Sequence, residues 1–286
     1  MRSRPPTPPA WRGWNDFREH TIQAASRRDA ERRFEHLGNI ARIILARPDA
    51  GNAINATLIA DLGAAVDAVR AVEPRSVLIT AEGANFSLGG DLKHLLAAGS
   101  DVAAELGRMA HDFHAAQLRL IGIGVPIIAA ARGHTIGGGF GLALSSDYLL
   151  CSENARFSTG YSRLGLSTDA GVSYFLTRAL GVRRARTLLM DARFMSADEA
   201  VLLGIADRKV SDDRLDTAAL DLARELAEGP TAAYAAIRRL TDAAATNSLA
   251  THLDEETREI VALAGREDVR AALSTPLTRT KPVFTR

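Results

Sequence analysis

The stretch GHTIGGGFGLALSSD, residues Gly133–Asp147, places three consecutive glycines at the start of an apolar run. A glycine in a helix interior costs about 0.5–1 kcal/mol relative to alanine. Three of them at the mouth of a predicted helix indicate that another backbone or a ligand comes very close. A second glycine-rich loop, NFSLGGDLKHLL at positions 85–96, follows an earlier predicted strand in the same way.

Strands and helices alternate around these two loops. The patterns predict a hairpin at 33–48, a helix at Ala56–Val72, buried strands at 76–83, 125–133 and 147–151, and a helix at Asp101–Ile121. Beyond Asp169 almost every segment has helical spacing. We therefore predict an α/β core with a helical C-terminal region. The boundaries are a Pro/Arg-rich N-terminal extension at 1–32, the core at 33–210 and the helical region at 211–286.

Composition limits the partners that this chain could have. It carries 35 basic and 34 acidic residues, a formal net charge of +1, which does not favour nucleic acid or a membrane surface. No apolar run approaches the ~18–20 residues of a membrane span, and the N-terminus lacks the apolar core of a secretory signal. The single cysteine, Cys151, cannot form an internal disulfide. We predict a cytoplasmic protein with an inert core thiol.

Each of the two glycine loops lies between the end of a predicted strand and the start of a predicted helix. The N-terminus of a helix has free backbone N–H groups. Two such groups converging on one point would bind a developing oxyanion. Ordinary loop glycines remain the alternative. A dinucleotide site fails because the third glycine of G-x-G-x-x-G falls on Leu142, and no G-K-[ST] follows for a phosphate loop.

The pair NFSLGGDLKHL and ARGHTIGGGFGLALSSDY resembles the crotonase superfamily, the enoyl-CoA hydratase/isomerase family. The family signature is F-S-x-G-x-D-[LI] after one strand and G-x-x-x-G-G-G after the next. The similarity continues through ARFSTGYSRLGL, LTRALG, MSADEAVLLGIADRKV and KPVFTR. It covers the chain from about Arg33 to Arg286.

The resemblance implies a ββα spiral core with C-terminal helices that form trimers or dimers of trimers. It implies a coenzyme A thioester as the substrate and partner, with no metal and no separate cofactor. Two backbone N–H groups, matched here by Gly90 and Gly138, would stabilise the thioester enolate. The expected setting is fatty acid metabolism.

The resemblance also implies the substrate-binding residues. Leu88, beside Gly89, matches a position whose backbone meets the adenine of the coenzyme. Asn52 and Ala53 match a segment near the nucleotide end. Tyr161 is expected to line the acyl pocket or to hydrogen-bond the substrate.

Family membership does not determine the reaction, because the side chains above the thioester do. Hydratases of this family use two glutamates, and the matching positions here are Gly141 and Tyr161. A phenol with an ordinary pKa of about 10 is a poor base at neutral pH. Asp169 matches the acid of isomerase branches and the nucleophile of a dehalogenase branch. We therefore expect a double-bond isomerase with Asp169 as the proton shuttle.

Several alternatives remain open at this stage. Asp169 could simply cap the following helix. A hydratase or hydrolase could use a rearranged site that draws on His111 or Asp112, or the chain could be a non-catalytic acyl-CoA-binding relative. We interpret His111, Asp112 and His114 as a solvated helix face, and their spacing does not suit zinc.

Overall fold

A computed structural model describes residues 33–278 and 283–284. The N-terminal extension predicted at 1–32 lies outside the described residues. The described strands are β1 Phe34–Leu37, β2 Ile40–Leu45, β3 Ser76–Ala81, β4 Ile127–Ala131, β5 His134–Ile136, β6 Tyr148–Ser152, β7 Arg156–Ser158, β8 Met195–Ser196 and β9 Arg208–Val210. The described helices are α1 Ala56–Val72, α2 Leu92–Ala97, α3 Val102–Ile121, α4 Gly138–Leu144, α5 Val172–Asp191, α6 Ala197–Leu202, α7 Leu215–Glu228, α8 Thr231–Ala243, α9 Leu249–Ala264 and α10 Glu267–Thr278.

The main sheet has six strands in the order β1-β2-β3-β4-β6-β9. The predicted hairpin is confirmed, because β1 and β2 pair antiparallel across a turn in which Gly38 adopts a φ of 66°. The pairs from β2 to β9 are all parallel. The carboxyl ends of these parallel strands therefore meet at one edge, where ligands bind in open α/β sheets.

Helices cover both faces of this sheet. Alternate strand residues such as Ile43, Ile79 and Ala129 face α1, α3 and α4, and the intervening residues Leu78 and Ile128 face α7. Such two-sided burial is the reason that the parallel strands are almost continuously apolar. Helix α7 thus packs as a layer of the core, although it follows position 210, where we placed the domain boundary.

Local sequence signals account for the helix ends. Asn55 caps α1 by accepting from the Leu58 amide at 3.0 Å, and Asp91 caps α2 by accepting from the His94 amide at 3.2 Å. Ser196 caps α6 through the Glu199 amide. The Glu199 carboxylate pairs with Arg193 and does not complete a capping box with Ser196.

A second, three-stranded sheet was missing from the sequence prediction. It has the order β5-β7-β8, with strands of two or three residues. Such short strands carry no measurable hydrophobic period. This sheet is important because β5 leads directly into the glycine triplet.

The C-terminal helices extend away from the core. Helix α9 has no buried residue, and Leu249, Ile260 and Val261 on it are 75%, 67% and 65% exposed. No helix in the described part of the chain is long and apolar enough to cross a membrane. Cys151 is fully buried, and burial raises the pKa of its thiol to about 11, which agrees with an inert core thiol.

Candidate active site

The two glycine loops lie side by side at the carboxyl edge of the main sheet. In the first loop, the Ile54 amide donates to the Gly89 carbonyl at 2.7 Å and the Asp91 amide donates to the Ile54 carbonyl at 2.8 Å. Ser87 joins this loop to β5, donating to the His134 carbonyl and accepting from the Ile136 amide. The backbone on both sides of Gly90 is therefore fixed.

The N–H groups of Gly90 and Gly138 remain available. Neither amide donates a hydrogen bond to any residue that the structure describes. Both residues line one cavity of about 120 Å³. Two N–H groups without a protein acceptor at one cavity are available to a ligand oxygen.

The glycine triplet is required by close backbone approach. Gly137 has φ 55° and ψ −122°, a conformation that side chains disfavour. A Cβ on Gly139 would lie 2.4 Å from the Cβ of Ser87, and a Cβ on Gly89 would lie 2.9 Å from the Ile136 carbonyl oxygen. These glycines let the two loops touch, and that contact presents Gly138 to the cavity.

Gly141 has a different neighbour. A Cβ there would lie 2.2 Å from the carbonyl oxygen of Ala170. Ala170 is 1% exposed and has a φ of 54°, which is strained for a non-glycine residue. The buried Gln117 amide donates to the carbonyls of Gly141 and Ala170 at 3.1 and 3.2 Å. The position that carries a glutamate in hydratases is therefore closed to any side chain.

Asp169 lies at the wall of the same cavity. Its Oδ1 is 2.6 Å from Nε2 of His114, and its Oδ2 has no hydrogen-bond partner among the described residues. The short contact requires a proton between the two atoms. The Ala170 amide donates to the same nitrogen at 3.3 Å.

Asp169 is not a side-chain cap of α5. The residue in the cap position is Gly171, which has no side chain, and the Val172 amide donates to the backbone carbonyl of Asp169 at 3.1 Å. The carboxylate is turned toward His114 instead. The capping alternative therefore does not describe this side chain.

His114 was not predicted as a site residue, and its placement on a solvated face is wrong. His111 and Asp112 are exposed as expected, whereas His114 is half-buried against Asp169. The available sequence signal was its position between Phe113 and Gln117, which both point inward from α3. The pairing itself spans 55 positions, and no local pattern encodes it.

Tyr161 lines the cavity as expected. Its phenolic oxygen is buried and makes no hydrogen bond to a described residue. Burial raises the pKa of the Tyr161 phenol well above its ordinary value, and the charge of Asp169 raises it further, although the nearby Asp169 amide opposes the shift. The phenol therefore stays protonated and offers a hydrogen-bond donor to a ligand.

The residues expected to contact the coenzyme differ in whether their polar groups are free to bind a ligand. The Leu88 amide donates to the Gly51 carbonyl at 3.0 Å, whereas its own carbonyl accepts from no described residue. Asn52 is fully buried, and its amide nitrogen donates to the carbonyls of Glu82 and Asn85.

The side chain of Asn52 therefore holds loops together and offers no group to a ligand. Its Oδ1 accepts from the Arg47 amide at 2.7 Å. The carbonyl of Ala53 accepts from the Arg47 guanidinium, which also pairs with Asp91. Asn52 and Ala53 thus support the first glycine loop from behind. No group of three or more His, Cys, Asp or Glu within the described residues could hold a metal ion.

Known proteins share this arrangement of elements. The family model for enoyl-CoA hydratase/isomerase matches residues 35–286. A 1,2-epoxyphenylacetyl-CoA isomerase of Escherichia coli K12 is 33% identical over 86% of this chain and 95% of its own. A 4-chlorobenzoyl coenzyme A dehalogenase of Arthrobacter sp. is 29% identical over 81% of this chain and 84% of its own.

A solved structure is also similar to this chain. A Thermobifida fusca YX protein, assigned as an enoyl-CoA hydratase and crystallised with CoA, has a TM-score of 0.73 and 35% identity, covering 80% of this chain and 91% of its own. The mixed α/β core with its helical C-terminal part is the crotonase fold. The chain belongs to the enoyl-CoA hydratase/isomerase family.

Proposed function

We propose that the protein moves the double bond of an enoyl-CoA thioester, with Asp169 as the proton shuttle. The observation that carries this proposal is the Asp169 carboxylate at the wall of a cavity that also holds the free amides of Gly90 and Gly138. Isomerisation needs one carboxylate and no added water. Among the described residues that line the cavity, Asp169 is the one with a carboxylate.

The steps balance with these groups alone. The thioester oxygen accepts from the N–H groups of Gly90 and Gly138, and Asp169 removes a proton from C2 of a 3-enoyl thioester. The resulting dienolate places negative charge on the oxygen, where each amide contributes about 2.7–4 kcal/mol. The carboxylic acid of Asp169 then returns the proton to C4, which gives the 2-enoyl thioester.

His114 acts as a positioning residue in this scheme. It lines a separate hollow bounded by α3, α5 and α8 and does not line the acyl cavity. Its Nε2 lies 2.6 Å from Oδ1 and holds that oxygen, which leaves Oδ2 as the oxygen for proton transfer. Tyr161 supplies a neutral hydrogen-bond donor in the same cavity.

Hydration of the usual family kind is disfavoured by the geometry at Gly141. The Ala170 carbonyl occupies the space that a catalytic glutamate would need. The second glutamate position holds Tyr161, and burial keeps that phenol protonated. Neither group can activate a water molecule as a general base.

A second candidate function is nucleophilic displacement, which the Asp169–His114 contact favours. The Asp169 carboxylate would attack the ring carbon of an aryl thioester that carries a leaving group, forming an aspartyl ester and releasing that group as an anion. A water molecule would then hydrolyse the ester, which returns the Asp169 carboxylate and releases the hydroxyaryl thioester, and the imidazole of His114 beside Asp169 would accept the proton of that water. The Arthrobacter relative is named as a dehalogenase of an aromatic CoA thioester.

One experiment separates these candidates. The purified protein is incubated in D2O with 2-enoyl-, 3-enoyl- and halogenated aryl-CoA thioesters, and the products are analysed by mass spectrometry. Deuterium incorporation at C2 or C4 with a shifted double bond supports isomerisation. Gain of one water supports hydration, release of halide supports displacement, and no turnover of any thioester contradicts an enzymatic role.

We also propose a homotrimer or a dimer of trimers. The resemblance implies it, and the exposed apolar side chains of α9 give it a physical basis. Light scattering after size-exclusion chromatography is expected to give three or six times the chain mass of 30.6 kDa. A monomer at micromolar concentration would contradict this assembly.

A further inference from the structure

Helix α3 separates two hollows of the molecule. The acyl cavity of about 120 Å³ lies on one side, and a groove of about 640 Å³ lies between α3 and α1 on the other. Within the described chain, Met109 is the one residue that lines both. Met109 is thus a common wall of the two spaces.

The helical period explains this position of Met109. Leu106 and Phe113 on α3 line the acyl cavity, whereas Glu105 and Asp112 line the groove. Residues three or four apart share a face of a helix, so position 109 belongs to both sets and lies at the border between them. Met109 is 7% exposed and packs in the hydrophobic core.

The acyl cavity is small for its proposed substrate. An apolar cavity of about 150 Å³ accommodates one benzene ring. The 120 Å³ of this cavity, which Gly90 and Gly138 also line, therefore fits a single ring or an acyl group of a few carbons. A longer chain needs the volume that lies beyond Met109.

The groove can accommodate the hydrocarbon of an acyl chain that extends past the position of Met109. Ala60, Ala64 and Ala116 line it, so its walls include little side-chain bulk. Its two arginines are already paired: Arg119 with Asp67 at 2.6 Å, and Arg108 with Glu105. An entering chain would therefore meet no unpaired cation of this groove.

We infer that Met109 is the specificity-determining residue that ends the acyl cavity and restricts the enzyme to short or single-ring acyl groups. Removing its side chain joins the cavity to the α1–α3 groove and admits longer chains. This inference rests on the proposed function, because it takes the cavity as the acyl site.

The test measures binding of saturated thioesters, which have no double bond to isomerise. Isothermal calorimetry compares acetyl-, butyryl-, octanoyl- and benzoyl-CoA with the wild-type protein and with Met109→Ala. The wild-type protein is expected to bind octanoyl-CoA at least about tenfold more weakly than butyryl-CoA. Met109→Ala is expected to bind octanoyl-CoA about tenfold or more tightly than the wild-type protein, because four further methylenes are buried.

Two further variants localise the effect. Leu106→Ala removes a leucine of the acyl cavity that does not line the groove, and its ratio of octanoyl to butyryl affinity is expected to stay within about threefold of the wild-type ratio. Adding Ala60→Phe to Met109→Ala fills the groove, and the gain for octanoyl-CoA is expected to disappear. If Met109→Ala fails to fold, Met109→Val opens the same border with less loss of core volume.

The outcomes distinguish this inference from the proposed function. Tight binding of butyryl-CoA with the same chain-length profile in the wild-type protein and in the folded Met109 variant overturns the role of Met109 alone. A gain that persists with Ala60→Phe overturns the groove as the route. Absence of binding of every thioester to the wild-type protein overturns both proposals.

Discussion

The site joins two regions that differ in the kind of group they present. The glycine loops, residues 86–91 and 133–139, bring the free backbone amides of Gly90 and Gly138 to the cavity, beside the apolar residues Leu88 and Ile136. In the acid corner, formed by His114, Tyr161 and Asp169, the last two line the cavity and His114 on α3 contacts Asp169 from outside it. Under the proposed function, the loops would bind the thioester oxygen and the acid corner would determine which bond changes.

This difference separates what is general to the family from what is particular to this chain. The backbone amides of Gly90 and Gly138 can stabilise any enolate, because they have no titratable group to match to a reaction. The acid corner can serve only reactions that fit one carboxylate, one imidazole and one neutral phenol. The following substitutions test whether the two regions are as separable as this comparison requires.

Asp169→Asn has the largest expected effect. Turnover is expected to fall by about 10²–10⁴-fold, since general acid–base catalysis contributes that much, while acyl-CoA affinity changes little. Steady-state kinetics and calorimetry of a saturated thioester measure the two quantities. Retained activity would remove Asp169 from the mechanism, and equal loss of binding would mean that the two regions are not separable.

Gly141→Glu restores the acid of a hydratase and is expected to destabilise the protein instead. Its Cβ would meet the Ala170 carbonyl, so the free energy of unfolding is expected to fall by about 1–3 kcal/mol. Urea denaturation measures this loss. Gly107→Glu is the matched control, since a Cβ at Gly107 on α3 would have no neighbour within 4 Å. A stable Gly141→Glu protein that hydrates 2-enoyl-CoA would contradict the geometry.

His114→Gln sharpens the choice between the two candidate reactions. For isomerisation, loss of a positioning residue is expected to lower kcat by about tenfold with little change in KM. For displacement, the covalent aspartyl ester is expected to accumulate and to be visible in the intact mass. His111→Gln on the exposed side of α3 is the control, and equal effects from both would exclude a role for the Asp169 contact.

Of these four substitutions, Tyr161→Phe is expected to have the smallest effect on activity. It is not expected to destabilise the protein. Its buried hydroxyl has no partner among the described residues, so its removal is expected to leave the unfolding free energy unchanged or to raise it by up to about 1 kcal/mol. Turnover is expected to fall by about three- to tenfold if the phenol donates to the substrate. Tyr174→Phe, at a 55% exposed position, provides the comparison. A marked loss of stability would indicate a structural role for the hydroxyl.

The sequence predicts the fold where local signals are strong. The bounds of α1 agree with its hydrophobic period. The helical spacing beyond Asp169 does not mark the separation of α9 from α10, and Gly181 interrupts α5 with φ 75° and ψ 159°. Such breaks depend on packing as well as on propensity.

The features of the candidate site also differ in whether local sequence signals predict them. Gly90 and Gly138 could be matched through the family resemblance, because the glycine motifs that carry it are local in the sequence. The contact of Asp169 with His114 and the approach of Ala170 to Gly141 could not, since each joins segments that are distant in the chain. Tertiary packing decides such contacts.

The hydrogen bonds of Gln117 have a consequence for redesign. Its amide ties α3 to both Gly141 and Ala170, while the same helix carries Met109 and His114. A displacement of α3 would therefore alter the volume of the cavity and the position of the Asp169 carboxylate together. Under the proposed function, substrate range and rate would be coupled through this helix, so a change that widens the cavity by moving the helix is expected to slow the reaction, whereas one that trims a side chain in place is expected to leave the rate intact.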